Sequence, residues 1–162
     1  MKTKYCIFIF AINLSYAQNN EISISDLITV GYERKVTDKS SFGIRLGTGL
    51  IEDKENYDIT RLYTKIYGRY YFLRNQNFNK FYGQYSFVYR QIENLPFPAG
   101  SNQYHYIGKY NEGGPAIGLG YKFLIKDKFV IDLYADIGYD AFNPKSLLPF
   151  FGDGIIALGY RF

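Results

Sequence analysis

Phe151-Gly-Asp-Gly-Ile-Ile-Ala-Leu-Gly-Tyr-Arg-Phe162 ends the sequence, and taking every second position splits it into two unlike sets. In an extended strand Ile156, Leu158, Tyr160 and Phe162 share one side, and Asp153, Ala157, Gly159 and Arg161 share the other. One face is apolar and the other is small or charged, so the strand separates two environments. The fold turns on which environment is lipid, water or core.

The same alternation recurs upstream. Ile28, Val30 and Tyr32 oppose Thr29, Gly31 and Glu33; Phe42, Ile44 and Leu46 oppose Gly43, Arg45 and Gly47. Within 61–74, Leu62, Ile66 and Tyr70 oppose Lys65, Tyr67 and Arg69, and within 80–91, Phe81, Tyr85 and Phe87 oppose Gln84, Ser86 and Arg90. Between 112 and 125, Ile117, Leu119 and Tyr121 oppose Gly118, Gly120 and Lys122, and from 129 onward Ile131, Leu133 and Ile137 oppose Asp132, Tyr134 and Asp136. No stretch has a helical period. Aromatic residues make up 20% of the chain and favour strands, so the expected class is all-β.

Residues 1–18 read as a separate piece. Lys2 and Lys4 precede an apolar run from Tyr5 to Leu14, and Ser15-Tyr16-Ala17 offers small residues ahead of a cleavage point at Gln18. That is the pattern of a secretory signal peptide, and the run is shorter than the ~20 residues of a membrane-spanning helix. Cys6, the single cysteine, would leave with it, so no disulfide is expected in residues 19–162. Two of the 19 basic residues and none of the 15 acidic ones would go too, lowering the net charge of +4 to +2. Without a basic run, nothing points to nucleic acid.

Seven clear strands follow from the alternation, with short connections at 37–40, 75–79 and 126–128 and longer ones at 52–60, 92–111 and 140–149. Short turns on one side and long loops on the other is the asymmetry of a barrel in the bacterial outer membrane, whose strand number is even. An eighth strand must then come before the rest, from Asn19 to Asp26, either short or joined to its neighbour by a bend near Ser25-Asp26. The expectation is an eight-stranded antiparallel up-and-down transmembrane β-barrel over 19–162.

A soluble, lipocalin-like ligand-binding barrel has the same period with its apolar face inward. The opposite face here carries Glu33, Arg45, Lys65, Arg69, Arg90, Lys122, Asp132, Asp136, Asp153 and Arg161, of both signs and interspersed with glycine. Eight strands leave an interior just wide enough for side chains, so these ten residues are expected to form an ionic network that fills a polar lumen. A solvated exterior would accommodate the charges equally well, but not the terminal Tyr160 and Phe162 or the loop asymmetry.

At this point the chain resembles the small outer-membrane β-barrel proteins of Gram-negative bacteria, the OmpX and OmpA-like class with its uncharacterised relatives. The stretches that carry the resemblance are V-G-Y-E-R-K-V-T-D-K-S-S-F-G-I-R-L-G at 30–47, Y-N-E-G-G-P-A-I-G-L-G-Y-K-F at 110–123, and the closing A-L-G-Y-R-F. The resemblance implies an outer-membrane location, contact with outer-membrane lipid, and a terminal strand read by the barrel-assembly machinery. Tyr160 and Phe162 match the aromatics of that assembly signal; Ala157 stands where a glycine is usual and Ile155 where a polar residue is.

Chemistry finds little foothold. Gly118 and Gly120 alternate along a strand and precede no helix, so they do not form a phosphate loop. Asp132 and Asp136 are about 13 Å apart on one strand face, beyond the spacing of a retaining glycosidase. One histidine and no cysteine after cleavage leave only carboxylates for a metal, so no metal or cofactor is expected. His105 with Ser101 is the one nucleophile–base pair available for a lipid-modifying enzyme, and it lacks an orienting third group. Phe97, Tyr104, His105, Tyr106 and Tyr110, expected in the long outer loop, could instead form a contact surface for an unknown extracellular partner, or simply pack the loop and membrane girdle. The leading expectation is a monomeric structural or surface-interaction protein without catalysis; a lipid-modifying enzyme and a narrow pore are the alternatives.

Overall fold

The computed structural model describes residues 20–25, 28–49, 58–72, 79–94, 108–143 and 148–162. They form eight strands: β1 Asn20–Ser25, β2 Thr29–Thr37, β3 Ser40–Gly49, β4 Asp58–Tyr71, β5 Asn79–Asn94, β6 Lys109–Ile125, β7 Phe129–Tyr139 and β8 Phe150–Arg161. Each pairs antiparallel with the next, and β8 returns to β1, closing the barrel. The expected class and strand number are those observed.

The short first strand completes the closure. Ile22 lies opposite Tyr160 and Ile24 opposite Leu158, which puts the apolar residues of both strands on the same outer face. Asn20 and Phe162 exchange two backbone hydrogen bonds, of 3.2 and 2.9 Å, tying the two ends of the sheet together. The residues linking β1 to β2, at 26–27, lie outside the described residues, as does the leader segment read at 1–18.

Strand ends depart from expectation on the side of the long loops. β4 starts at Asp58 instead of Arg61, β5 continues to Asn94, and β6 begins at Lys109 instead of Glu112. Tyr110, read as a loop residue, therefore belongs to β6, opposite Ile92. Both faces of these extensions carry polar residues, so the apolar period stops while the backbone ladder goes on. A bulge between Thr60 and Leu62 gives the protruding part its own register. In β6, Gly113 and Gly114 have φ of 142° and 148°, a conformation side chains resist. They lie where β6 rises beyond its pairing with β7, which starts at Ala116 opposite Gly138.

Outside, a mainly aliphatic belt, interrupted by the exposed Tyr85 and Phe87 of β5, lies between two aromatic rings. Ile66, Ile117, Leu119, Ile137, Ile156 and Leu158 are all exposed in the middle. At the end holding the short turns, Phe129 stacks edge-on against Tyr160, Tyr121 against Phe123, and Phe72 lies against Phe81. At the other end Tyr139 meets Phe150 and Tyr89 meets Phe142. Phe150 to Tyr160 spans ten residues of β8, and Phe129 to Tyr139 ten of β7. At about 3.3 Å per residue that is ~33 Å of strand, or ~25 Å of height at the 35–45° tilt usual for such barrels.

Candidate functional site in the barrel lumen

The inward positions of the eight strands enclose a space filled by charge and tyrosine. Arg45, Lys65, Arg69, Lys122 and Asp132 are each at most 2% exposed, and Glu33, Asp136 and Asp153 at most 7%. Glycines opposite the largest rings make the packing possible: Tyr67 lies over Gly43 and Tyr82 over Gly120, where a Cβ would overlap the ring. The other ring positions are supplied by Tyr63, Tyr71, Tyr134 and Phe151, all buried.

Near the short-turn end, Lys122 Nζ sits 2.9 Å from Glu21 and 3.0 Å from Glu33, and Arg161 reaches Glu21 at 3.3 Å. Arg69 Nη1 lies 2.7 Å from both Glu33 and Asp132. The Tyr71 hydroxyl donates to Glu33 at 2.7 Å, and that of Tyr82 to Asp132. Higher in the barrel, Lys65 holds Asp136 at 2.7 Å and Asp153 at 2.6 Å. Tyr63 donates to Asp153, Ser86 to Asp136, and Arg90 bridges Asp153 at 3.3 Å and Glu112 at 3.2 Å. Gln84 joins the two levels: its carbonyl accepts from Arg69 at 2.7 Å while its amide donates to Asp136 at 2.9 Å. Each buried charge in these two levels faces an opposite one, the condition under which burial is tolerated.

Arg45 stands apart. Its Nη2 donates to Ser23 at 3.1 Å beside Gly31, while Nε and Nη1 have no partner, and its guanidinium carbon lies 5.9 Å from the Tyr134 ring centre. The same ring has Lys65 Nζ at 3.9 Å and the Arg69 guanidinium at 5.5 Å, so three cations gather around one aromatic ring. Arg45 shares no salt bridge with a carboxylate among the described residues; the other nine residues expected in the network do.

Two members of the network, Glu21 and Glu112, are absent from the ten read in the sequence. β1 is too short for its alternation to mark Glu21 as inward, and Glu112 lies on the β6 extension, where the apolar period has already ended. The tyrosines were legible by parity, because Tyr63, Tyr67 and Tyr71 fall on the same side of β4 as Lys65 and Arg69. Ile155, at 3% exposure, also points inward, as does Ala157 beside it in the alternation. Of the assembly-signal pair, Tyr160 is exposed beside Phe129 and Phe162 pairs with Asn20 through its backbone. Phe97, Tyr104, His105 and Tyr106 lie outside the described residues, while Tyr110 is exposed at the start of β6, at the long-loop end. Among the described residues no group of three or more His, Cys, Asp or Glu side chains could hold a metal ion.

At the long-loop end the extension of β4 to β6 carries a second, exposed set of charges. Arg61 donates to Glu93 at 2.6 Å, with Lys109 on the other side of the same carboxyl at 3.9 Å. The hydrogen bond from Arg61 holds the Glu93 carboxyl below its ordinary range.

In architecture the barrel is similar to the N-terminal β-barrel domain of OprF from Pseudomonas aeruginosa, with a TM-score of 0.55 and 14% identity over 89% of this chain and 94% of that one. It is also similar to Ail, the attachment invasion locus protein of Yersinia pestis, crystallised in complex with the heparin analogue sucrose octasulfate. That match has a TM-score of 0.51 and 13% identity over 88% of this chain and 92% of that one. At such identities the likeness is one of fold. No curated protein matches the sequence. Residues 3–147 do match a family model described as a protein of unknown function, DUF3575, and the chain belongs to that family.

Proposed function

We propose that this protein is a structural barrel of the bacterial outer membrane, with a plugged lumen and no catalytic centre, contributing to the envelope or to surface contact. The observation that carries the proposal is its inverted polarity: paired charges fill the inside, and an aliphatic belt bounded by aromatic rings covers the outside. In water that outer face would be an aggregation surface far larger than soluble monomers expose. In a bilayer it matches the ~25 Å apolar band and the aromatic girdles of an outer-membrane barrel. The leader read at 1–18 and the closing aromatics fit export followed by insertion through the barrel-assembly machinery. A monomer suffices, because the sheet closes on itself and leaves no edge within the belt.

A plugged lumen has an electrical consequence. Tyr63, Tyr67, Tyr82 and Tyr134, all buried, share the cross-section with the ion pairs, as the narrow interior of eight strands requires, which leaves little room for a water column. Planar-bilayer recording of the refolded protein tests this. No steady unitary conductance is expected, and long-lived openings in every preparation would contradict the plug.

A further inference from the structure

On the outer face a groove of about 590 Å³ runs across β6 to β8, with Phe81 of β5 at its side. Its origin lies in the register. Tyr121, Leu133 and Ile156 form one row of paired residues, and Leu119, Ala135 and Gly154 form the next. The second row loses its bulk at Ala135 and Gly154, leaving a depression beside the larger side chains of the first. No protein contact requires the glycine: a Cβ at Gly154 would meet only the Tyr134 carbonyl oxygen, at 3.6 Å. A larger residue would fit there and fill the groove.

The hairpin directly below is cationic. β6 and β7 are joined by Lys126, Asp127 and Lys128, all exposed and none in an ion pair among the described residues. Leu133 lies five residues beyond Lys128 on β7. That is ~17 Å of strand and ~12 Å of depth at the expected tilt. The headgroups lie outside a ~30 Å hydrocarbon core, in a bilayer ~40–45 Å thick, so an acyl chain whose phosphate lies level with the hairpin passes the groove with its middle carbons.

We propose that this face holds one anionic phospholipid of the inner leaflet of the outer membrane, with an acyl chain in the groove and its phosphate between Lys126 and Lys128. The site rests on the membrane placement proposed above and adds a lipid class to it. Charge selects the headgroup: two ammonium groups flank one carboxylate in the hairpin, leaving a net positive charge at the phosphate level. The smooth floor at Ala135 and Gly154 selects a flexible chain over a flat partner surface. A second copy of the chain in the groove would bury the same residues, but it would leave the hairpin cations without a counter-charge.

The test uses the refolded chain in phosphatidylcholine vesicles containing a minor fraction of phosphatidylglycerol with matched acyl chains. Lipid retained per barrel is counted by native mass spectrometry after extraction into mild detergent. One phosphatidylglycerol is expected to be held in preference to phosphatidylcholine. Gly154→Leu, which fills the groove, and the double variant Lys126→Gln/Lys128→Gln are each expected to lower retention about tenfold. Gly152→Leu, on the same outer face where a Cβ meets nothing within 4 Å, is expected to retain the lipid. Equal retention by the parent and Gly154→Leu, equal retention of the two lipids, or a stable dimer in place of the lipid adduct would each overturn the proposal. Heat-dependent gel mobility, measured on every sample, reports insertion separately. A parent barrel that inserts yet keeps no lipid overturns the lipid site alone, whereas one that never inserts overturns the membrane placement beneath it.

Discussion

The two sides of the lumen treat an arginine differently. On β4, Arg69 is 1% exposed and lies between Glu33 and Asp132, with Gln84 on its Nε. On β3, Arg45 is equally buried but has a single hydroxyl and the Tyr134 ring for company. The neighbours explain the difference. Glu33 of β2, Asp132 of β7 and Gln84 of β5 converge on Arg69, while Arg45 meets only the small Ser23 of β1 and Gly31 of β2 beside the Tyr134 ring. Burial alone therefore does not mark a charge as part of the network; the partner across the lumen does.

Arg69→Met should break the comparison most sharply. It leaves Glu33 without its arginine and Asp132 without its salt bridge, so a loss of about 3–5 kcal/mol is expected in urea unfolding from vesicles. A loss near zero would mean that the paired side stabilises no more than the other. Next in size is Leu158→Arg on the outer face, expected to cost ~2–4 kcal/mol if the site lies near mid-membrane. Folding as efficient as the parent's would show that this face does not meet lipid.

For Arg45→Met the expectation reverses. With two donors already unpartnered, a shape-matched apolar side chain should leave stability unchanged or raise it by about 1 kcal/mol. A loss as large as that of Arg69→Met would make the two sides equivalent. Smallest is a change outside the lumen. Lys126 and Asp127 hold φ of 51° and 59° in the β6–β7 turn, a conformation that glycine adopts without strain. Asp127→Gly relieves ~1–2 kcal/mol of strain against ~0.4–1 kcal/mol of added unfolded-state entropy, for an expected gain of roughly 0.5–1 kcal/mol.

Alternation made most of the barrel legible. Asp153, Ala157 and Arg161 could be assigned to one face of the closing strand because a period of two leaves only two choices, and the ten expected lumen residues all fall on the inner set. Three things escaped. The true reach of β4 to β6 was hidden because a strand polar on both faces has no period, which also concealed Glu112. Glu21 was hidden in a strand of six residues, too few to establish a pattern. Arg45 could not be told from Arg69 by alternation, since each falls on the inward parity of its own strand. Pairing across a lumen depends on tilt, stagger and side-chain length, and none of these can be read along a single strand. The groove on the outer face was invisible for a similar reason: Ala135 and Gly154 are adjacent only once β7 and β8 are in register.

The chain has no tryptophan, so an introduced one can be followed without background. Single variants Ile156→Trp on the outer face and Tyr134→Trp in the lumen, each refolded into vesicles carrying brominated acyl chains, test the polarity of the barrel directly. Strong quenching at position 156 and little at 134 is the expected result. Strong quenching at 134 with none at 156 would contradict it, and with it the outward apolar belt and the charged lumen.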